Sequence, residues 1–214
     1  RQFFQSATGM AAAFVALNET FAPVFEASRA EAATPAMAQE RANALKDQFI
    51  MDMHTHFLRD DTRLTNFVRA REAVGKAGWN PTLVDKPQTL EDLKFNNYFK
   101  EIYLDSDTKI ALISSSPSEI AQDWFLTNEM TIAARDKVNK DAGSRRMFAH
   151  AIFTPGQPGW LEHLEESLKR KPESIKGYTV GDNTNKDHAK HPWRMDDEKV
   201  TYKAYDLAVK YGIK

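Results

Sequence analysis

Phe49-Ile50-Met51-Asp52-Met53-His54-Thr55-His56-Phe57 is a short apolar run that ends in Asp-x-His-x-His. An extended strand has a side-chain period of two, so Asp52, His54 and His56 are expected on one face. Two imidazoles at one strand end can grip one metal ion, and a nearby carboxylate can orient a ring or join the coordination. His-x-His alone is a weak motif, equally compatible with two unrelated polar residues at a strand tip. Its weight depends on the architecture around it.

Outward from this stretch the chain alternates strand and helix patterns. The apolar run 109–114 reads as a strand buried on both faces, and 146–153 and 174–180 as a third and a fourth. Between them, residues 64–76 have a helical pattern, and Thr89-x-x-Asp92 is a capping box opening a helix over about 90–104. Ser116-Pro117-Ser118-Glu119 is a second such box, predicting a helix to about Asn139. Helices are also expected over about 158–170 and from Asp196-Asp197 to Tyr211, with Gly212 closing the last. β/α repeated four times predicts parallel strands. The absence of a Gly-rich phosphate loop disfavours an open doubly wound sheet, the alternative arrangement. The expected fold is therefore α/β of the (β/α)8 TIM-barrel type, truncated to about the first four β/α units, since a whole barrel takes ~250 residues.

Composition narrows the chemistry. The 214 residues are 42% hydrophobic and 28% charged, with a net charge of −1, which argues against a nucleic-acid partner. There is no cysteine, so metal binding is left to His, Asp and Glu. No apolar run reaches the ~20 residues needed to span a bilayer. Residues 1–46 read as an export signal and linker, with the N-terminal half of the barrel over 47–214. Arg1-x-Phe3-Phe4 followed by a small-residue-rich apolar segment resembles the second half of a twin-arginine signal, whose first arginine would precede Arg1. This predicts a periplasmic or otherwise exported protein. An N-terminal helix packed on a cytoplasmic domain is the alternative.

Residues 47–214 resemble the N-terminal half of a metal-dependent amidohydrolase-superfamily protein. The branch of amidohydrolase-related proteins that includes aminocarboxymuconate-semialdehyde decarboxylase is the nearest in pattern. The matching elements are Asp52-x-His54-x-His56, the strand and turn from Phe148 to Pro155, and Ile175-Lys176-Gly177-Tyr178. The resemblance implies a distorted (β/α)8 barrel and a divalent metal, usually zinc and sometimes manganese, held by His54 and His56. It also implies two later histidines and an Asp on strands beyond Lys214, so the catalytic residues proper are expected outside this chain. The implied activity is a hydrolase using a metal-activated water on a small, carboxylate-bearing substrate. The alternatives are a decarboxylase of the same superfamily and a non-catalytic metal-binding half-barrel that could form a homodimer.

Around the two ligands, Asp52 is expected to support them from deeper in the barrel. Lys176 could bridge two metals as a carboxylated lysine, as in binuclear relatives, or pair with a carboxylate, or face the outer helices. Arg59 and Arg194 are candidates for gripping a substrate carboxylate, because guanidinium makes paired hydrogen bonds to it. His150, mid-strand, reads as a core histidine able to reach a substrate. His188 and His191 lie in a polar loop that could contact substrate, and His163 reads as a solvated helix residue.

Overall fold

A computed structural model describes residues 47–80, 83–180 and 191–213, together with positions 36, 39, 40 and 43, which are helical. Apart from those four positions, the export-signal and linker reading of residues 1–46 lies outside the described residues, as does the reading of His188. Two compact units emerge: residues 1–50 with 64–108, and residues 51–63 with 109–214.

In the first unit the 64–76 pattern becomes helix α1 (Asn66–Lys76). The Thr89/Asp92 capping box forms, with the Asp92 carboxylate accepting from the Thr89 backbone N–H at 2.7 Å. The continuous helix expected over 90–104 does not. A 3-10 turn (Leu90–Leu93) is followed by helix α2 (Phe95–Phe99) and one π-helical turn (Lys100–Leu104). At Lys94 the backbone is extended, which ends the first turn before the second can continue it. Arg71 ties α1 to the π-turn through an ion pair with Glu101, and its Nε donates to the Gln88 side chain at 2.7 Å.

The second unit holds the four strands of the described residues: β1 (Met51–Thr55), β2 (Ile110–Ile113), β3 (Met147–Phe153) and β4 (Ser174–Gly177). They form one parallel sheet in the order β1-β2-β3-β4. Each strand lies beside the one before it, with no reversal of order. A doubly wound sheet needs such a reversal at its switch point, so the four strands follow the singly wound order, which is compatible with part of a barrel.

One face of the sheet is sealed by helices α3 (Asn128–Ala142), α4 (Trp160–Leu168) and α5 (Thr201–Lys210). Ala151 and Phe153 of β3 pack with Leu164 and Leu168 of α4 and Ala204 of α5, all buried. Helix α3 starts at Asn128, not near Ser116. Residues 116–127 form a loop with one 3-10 turn (Ala121–Asp123) instead, because its ends pair with each other. Phe125 N–H donates to Ser116 O at 3.1 Å, and Leu126 N–H donates to Ser115 Oγ at 3.0 Å. Thr127 then caps α3, accepting from Met130 N–H. Helix α3 ends where Gly143 enters the left-handed region (φ 61), and α5 ends the same way at Gly212 (φ 69). Helix α5 starts at Thr201, later than expected, because the Asp197 side chain accepts from Lys199 and Val200 N–H and makes a turn ahead of it.

β3 outruns β2. Its last sheet partner on that side is Ala149, opposite Ile113. Beyond it, the fully buried Asn128 takes the place of a strand. Its Nδ2 donates to Ile152 O at 2.9 Å and its Oδ1 accepts from Ile152 N–H at 2.8 Å. Three turns along the same helix, Asn139 does this at the other end of β3, accepting from Met147 N–H and donating to Met147 O. Eleven helical residues span about 16 Å, and the five strand steps from Met147 to Ile152 span about the same, so both asparagines fit. Asn128→Ala is expected to leave both Ile152 backbone groups unpaired in the core and to cost about 2–4 kcal/mol. Lys137→Ala, at an exposed position of the same helix, should stay within about 0.5 kcal/mol. Urea unfolding followed by circular dichroism checks both.

Candidate functional site

The concave face of the sheet carries His54 from β1, His150 from β3 and Lys176 from β4, with His56 just past the end of β1. His54 Nε2 lies 3.0 Å from Lys176 Nζ, although β1 and β4 are the two outermost strands. In a flat sheet these strands would be about 14 Å apart, with side chains standing perpendicular to the sheet. The contact therefore requires the sheet to curl, with this face inward.

His56 is the better fixed of the two strand-end histidines. Its Nδ1 lies 2.9 Å from the carbonyl oxygen of Ser114, the residue after β2. A carbonyl can only accept, so Nδ1 carries the proton and neutral His56 presents a bare Nε2 lone pair. The Phe125 ring meets the imidazole edge to face at 5.6 Å. His54 Nε2 lies 2.7 Å from His56 Nε2.

The three nitrogens cannot all be satisfied among themselves. If His54 Nε2 carries a proton it can donate to His56 but cannot accept from Lys176. If it is bare it can accept from Lys176 but then faces a second lone pair. A cation shared by the two Nε2 atoms resolves the conflict, and the tautomer imposed on His56 is the one a metal ligand needs. Ligand nitrogens on a tetrahedral zinc stand about 3.3 Å apart, so the rings would have to part slightly. Among the described residues no third His, Asp or Glu joins them in a group able to hold a metal ion. The fit is to the two-histidine part of a centre.

Asp52 is less simply placed than the two-residue period suggests. The β1–β2 register shifts between Asp52 and Thr55: Asp52 stands opposite Ala111 and Thr55 opposite Ile113, three residues against two. The extra residue interrupts the alternation on which a common face for Asp52 and His54 was expected. The Asp52 carboxylate accepts from the His54 backbone N–H at 3.0 Å. It supports the ligand strand through the backbone, and its charge also favours the protonated form of His56, though more weakly than the other influences on that ring.

His56 titrates below its ordinary value, chiefly because it is buried. The Ser114 hydrogen bond opposes the shift, and the nearby His54 and Lys176 add to it. His150 is held lower still, at about 4, first by burial and then by the charges of Lys176, His54 and His56. Its Nδ1 is buried without a hydrogen-bond partner among the described residues.

The remaining sequence candidates are placed as follows. Arg59 is gripped by Asp61 through Nε and Nη2, at 2.5 and 2.9 Å, and its backbone N–H donates to Phe125 O. It thereby anchors the 116–127 loop beside the site. Arg194 is paired in the same way with Asp196, at 2.8 and 3.0 Å, and is largely exposed. His191 covers Gly156 in the turn after β3, where a Cβ would come within 3.0 Å of the histidine's own. His163 lies against the Trp124 ring at 5.9 Å, with the Glu129 carboxylate 3.9 Å away. Trp193 fills the space above Gly177: a Cβ there would lie 2.6 Å from the indole, whose Nε1 donates to Tyr178 O. Ser114 and Phe125, which position His56, carry no sequence signal beyond lying after a strand.

Among the described residues no helix is long and apolar enough to cross a membrane. Comparison with protein-family models, curated proteins and solved structures finds no match for the chain.

The low value for His150 has a consequence for stability. The unfolded chain takes up this proton near pH 6.5, while the folded chain resists it until about pH 4. The unfolded state thus binds more protons in this window, so stability falls as pH drops from 6.5 to 4. His150→Leu should flatten that decline, measured as the urea midpoint against pH.

Proposed function

We propose that this chain supplies the two-histidine part of a divalent-metal centre, most simply zinc, in a hydrolase of amidohydrolase type acting on a small substrate. In this reading the four strands form one side of a (β/α)8 barrel, and the centre lies at the C-terminal end of its strands, where such barrels carry their chemistry. The observation that carries the proposal is the convergence of His54 Nε2 and His56 Nε2 at 2.7 Å, with His56 Nδ1 committed to Ser114 O.

The residues divide the work. Ser114 O sets the tautomer of His56 and holds its ring. The bond from His54 N–H to Asp52 steadies the strand beneath the second imidazole. Phe125 closes one side of His56 against water. A divalent cation held there supplies Lewis acidity, which lowers the pKa of water towards ~7 and polarises a substrate oxygen.

The test is zinc affinity by competition with a chromophoric chelator at neutral pH. His54→Ala and His56→Ala should each weaken it by about tenfold or more, in line with the loss of a metal contact. His163→Ala should leave it unchanged. Equal zinc affinity in all three variants and the native chain would remove the metal reading.

A further inference from the structure

We propose that Lys176 anchors a carboxylate of the substrate, making this a site for anionic small molecules. The inference rests on the metal-centre reading for its place in a reaction, but not for the anion contact itself.

Two arginines on the strand-end loops are the obvious carboxylate binders by residue type, and both are already committed. Arg59 holds Asp61 and Arg194 holds Asp196, each through two hydrogen bonds. The cations near the N-terminal ends of the strands are engaged as well: Arg146 Nε donates to Lys109 O, and Arg145 lies over the Phe148 ring and pairs with Glu173. Lys176 differs. Among the described residues it forms no ion pair, and its ammonium points onto the concave face.

An ammonium carries three donors. One is directed at His54 Nε2, and the group also stands 5.1 Å over the Tyr178 ring. Two donors remain for a ligand. The surroundings are imidazoles, His54, His56 and His150, and burial and the positive charge of Lys176 both hold His150 in its neutral form. The carboxylate of Asp52, also on β1, accepts from the His54 backbone N–H. An anion entering here meets a cation with no ion pair among the described residues, beside the neutral ring of His150, which favours a charge-assisted hydrogen bond over contact with water. A metal held by His54 would take its lone pair and so free the third Lys176 donor as well. The anion would then lie within reach of both the lysine and the metal. The ligand class this selects is a small carboxylate whose reacting group is next to its acid group.

The test uses benzoate and its neutral counterpart benzamide, titrated into the metal-free chain. The readout is the imidazole 1H–15N signals of His54 and His150. Benzoate should shift them saturably, and benzamide should bind about tenfold more weakly or not at all. Lys176→Met should weaken benzoate by about tenfold, while Lys176→Arg, which keeps the charge, should recover most of the affinity. The proposal is overturned if benzoate causes no saturable shift in the native chain, if benzamide binds equally well, or if Lys176→Met binds benzoate as the native chain does. The first two comparisons need no variant, so they stand even if Lys176→Met fails to fold. Zinc binding without a benzoate response removes the anion site alone. A Lys176-dependent benzoate response in a chain that does not take zinc removes the metal centre alone.

Discussion

β3 runs through the middle of the second unit with buried residues along its length, so none of its backbone groups can turn to water for a partner. Where β2 ends, the demand persists, and Asn128 meets it with a side-chain amide that supplies one donor and one acceptor as a neighbouring strand would. Asn139 serves the other end. These two contacts fix helix α3 along β3, and α3 fixes the end of the loop that precedes it. That loop brings Phe125 against His56 and is held down by Arg59. The environment of the candidate ligands thus depends on a pairing requirement met on the opposite face of the sheet. An unpaired amide and carbonyl at Ile152 would cost more than most single contacts at the site could return.

Curl is the second element. With four parallel strands in simple order and helices α3, α4 and α5 covering one face, the opposite face closes on itself. His54 and Lys176, 122 residues apart in the chain, come to 3.0 Å. A flat sheet of the same strands would keep the lysine and the histidine pair as separate features. The curl makes them one site with a composite character, two convergent imidazole nitrogens beside a cation.

Much of the framework is legible in the residues themselves. Period-two and continuous apolar runs locate all four strands to within two or three residues, and Gly143 and Gly212 mark helix ends through a conformation that other residues rarely adopt. The failures have physical causes. The Ser116–Glu119 pattern has the letters of a capping box, but Ser115 and Ser116 spend their hydrogen-bonding capacity on Leu126 and Phe125, which closes a loop. Alternation through Asp52, His54 and His56 assumes a regular ladder, and the extra residue in β1 is set by pairing with β2, which no local pattern encodes. The engagement of Arg59 and Arg194 by carboxylates two positions later was readable from spacing. That Lys176 forms no ion pair among the described residues was not, because it depends on which distant residues reach it.

The two imidazoles sit two residues apart at the end of one strand, and this has a thermodynamic consequence. A ligand stabilises a fold only to the extent that it prefers the folded chain over the unfolded one. A cation held by His54 and His56 alone closes a very small ring, which the unfolded peptide can also close. Occupancy at this pair would therefore do little to raise the unfolding midpoint, in contrast to a metal that staples distant segments together. Folding here rests on backbone pairing and apolar burial, and an ion at this pair would be accommodated by a strand whose shape it did not determine.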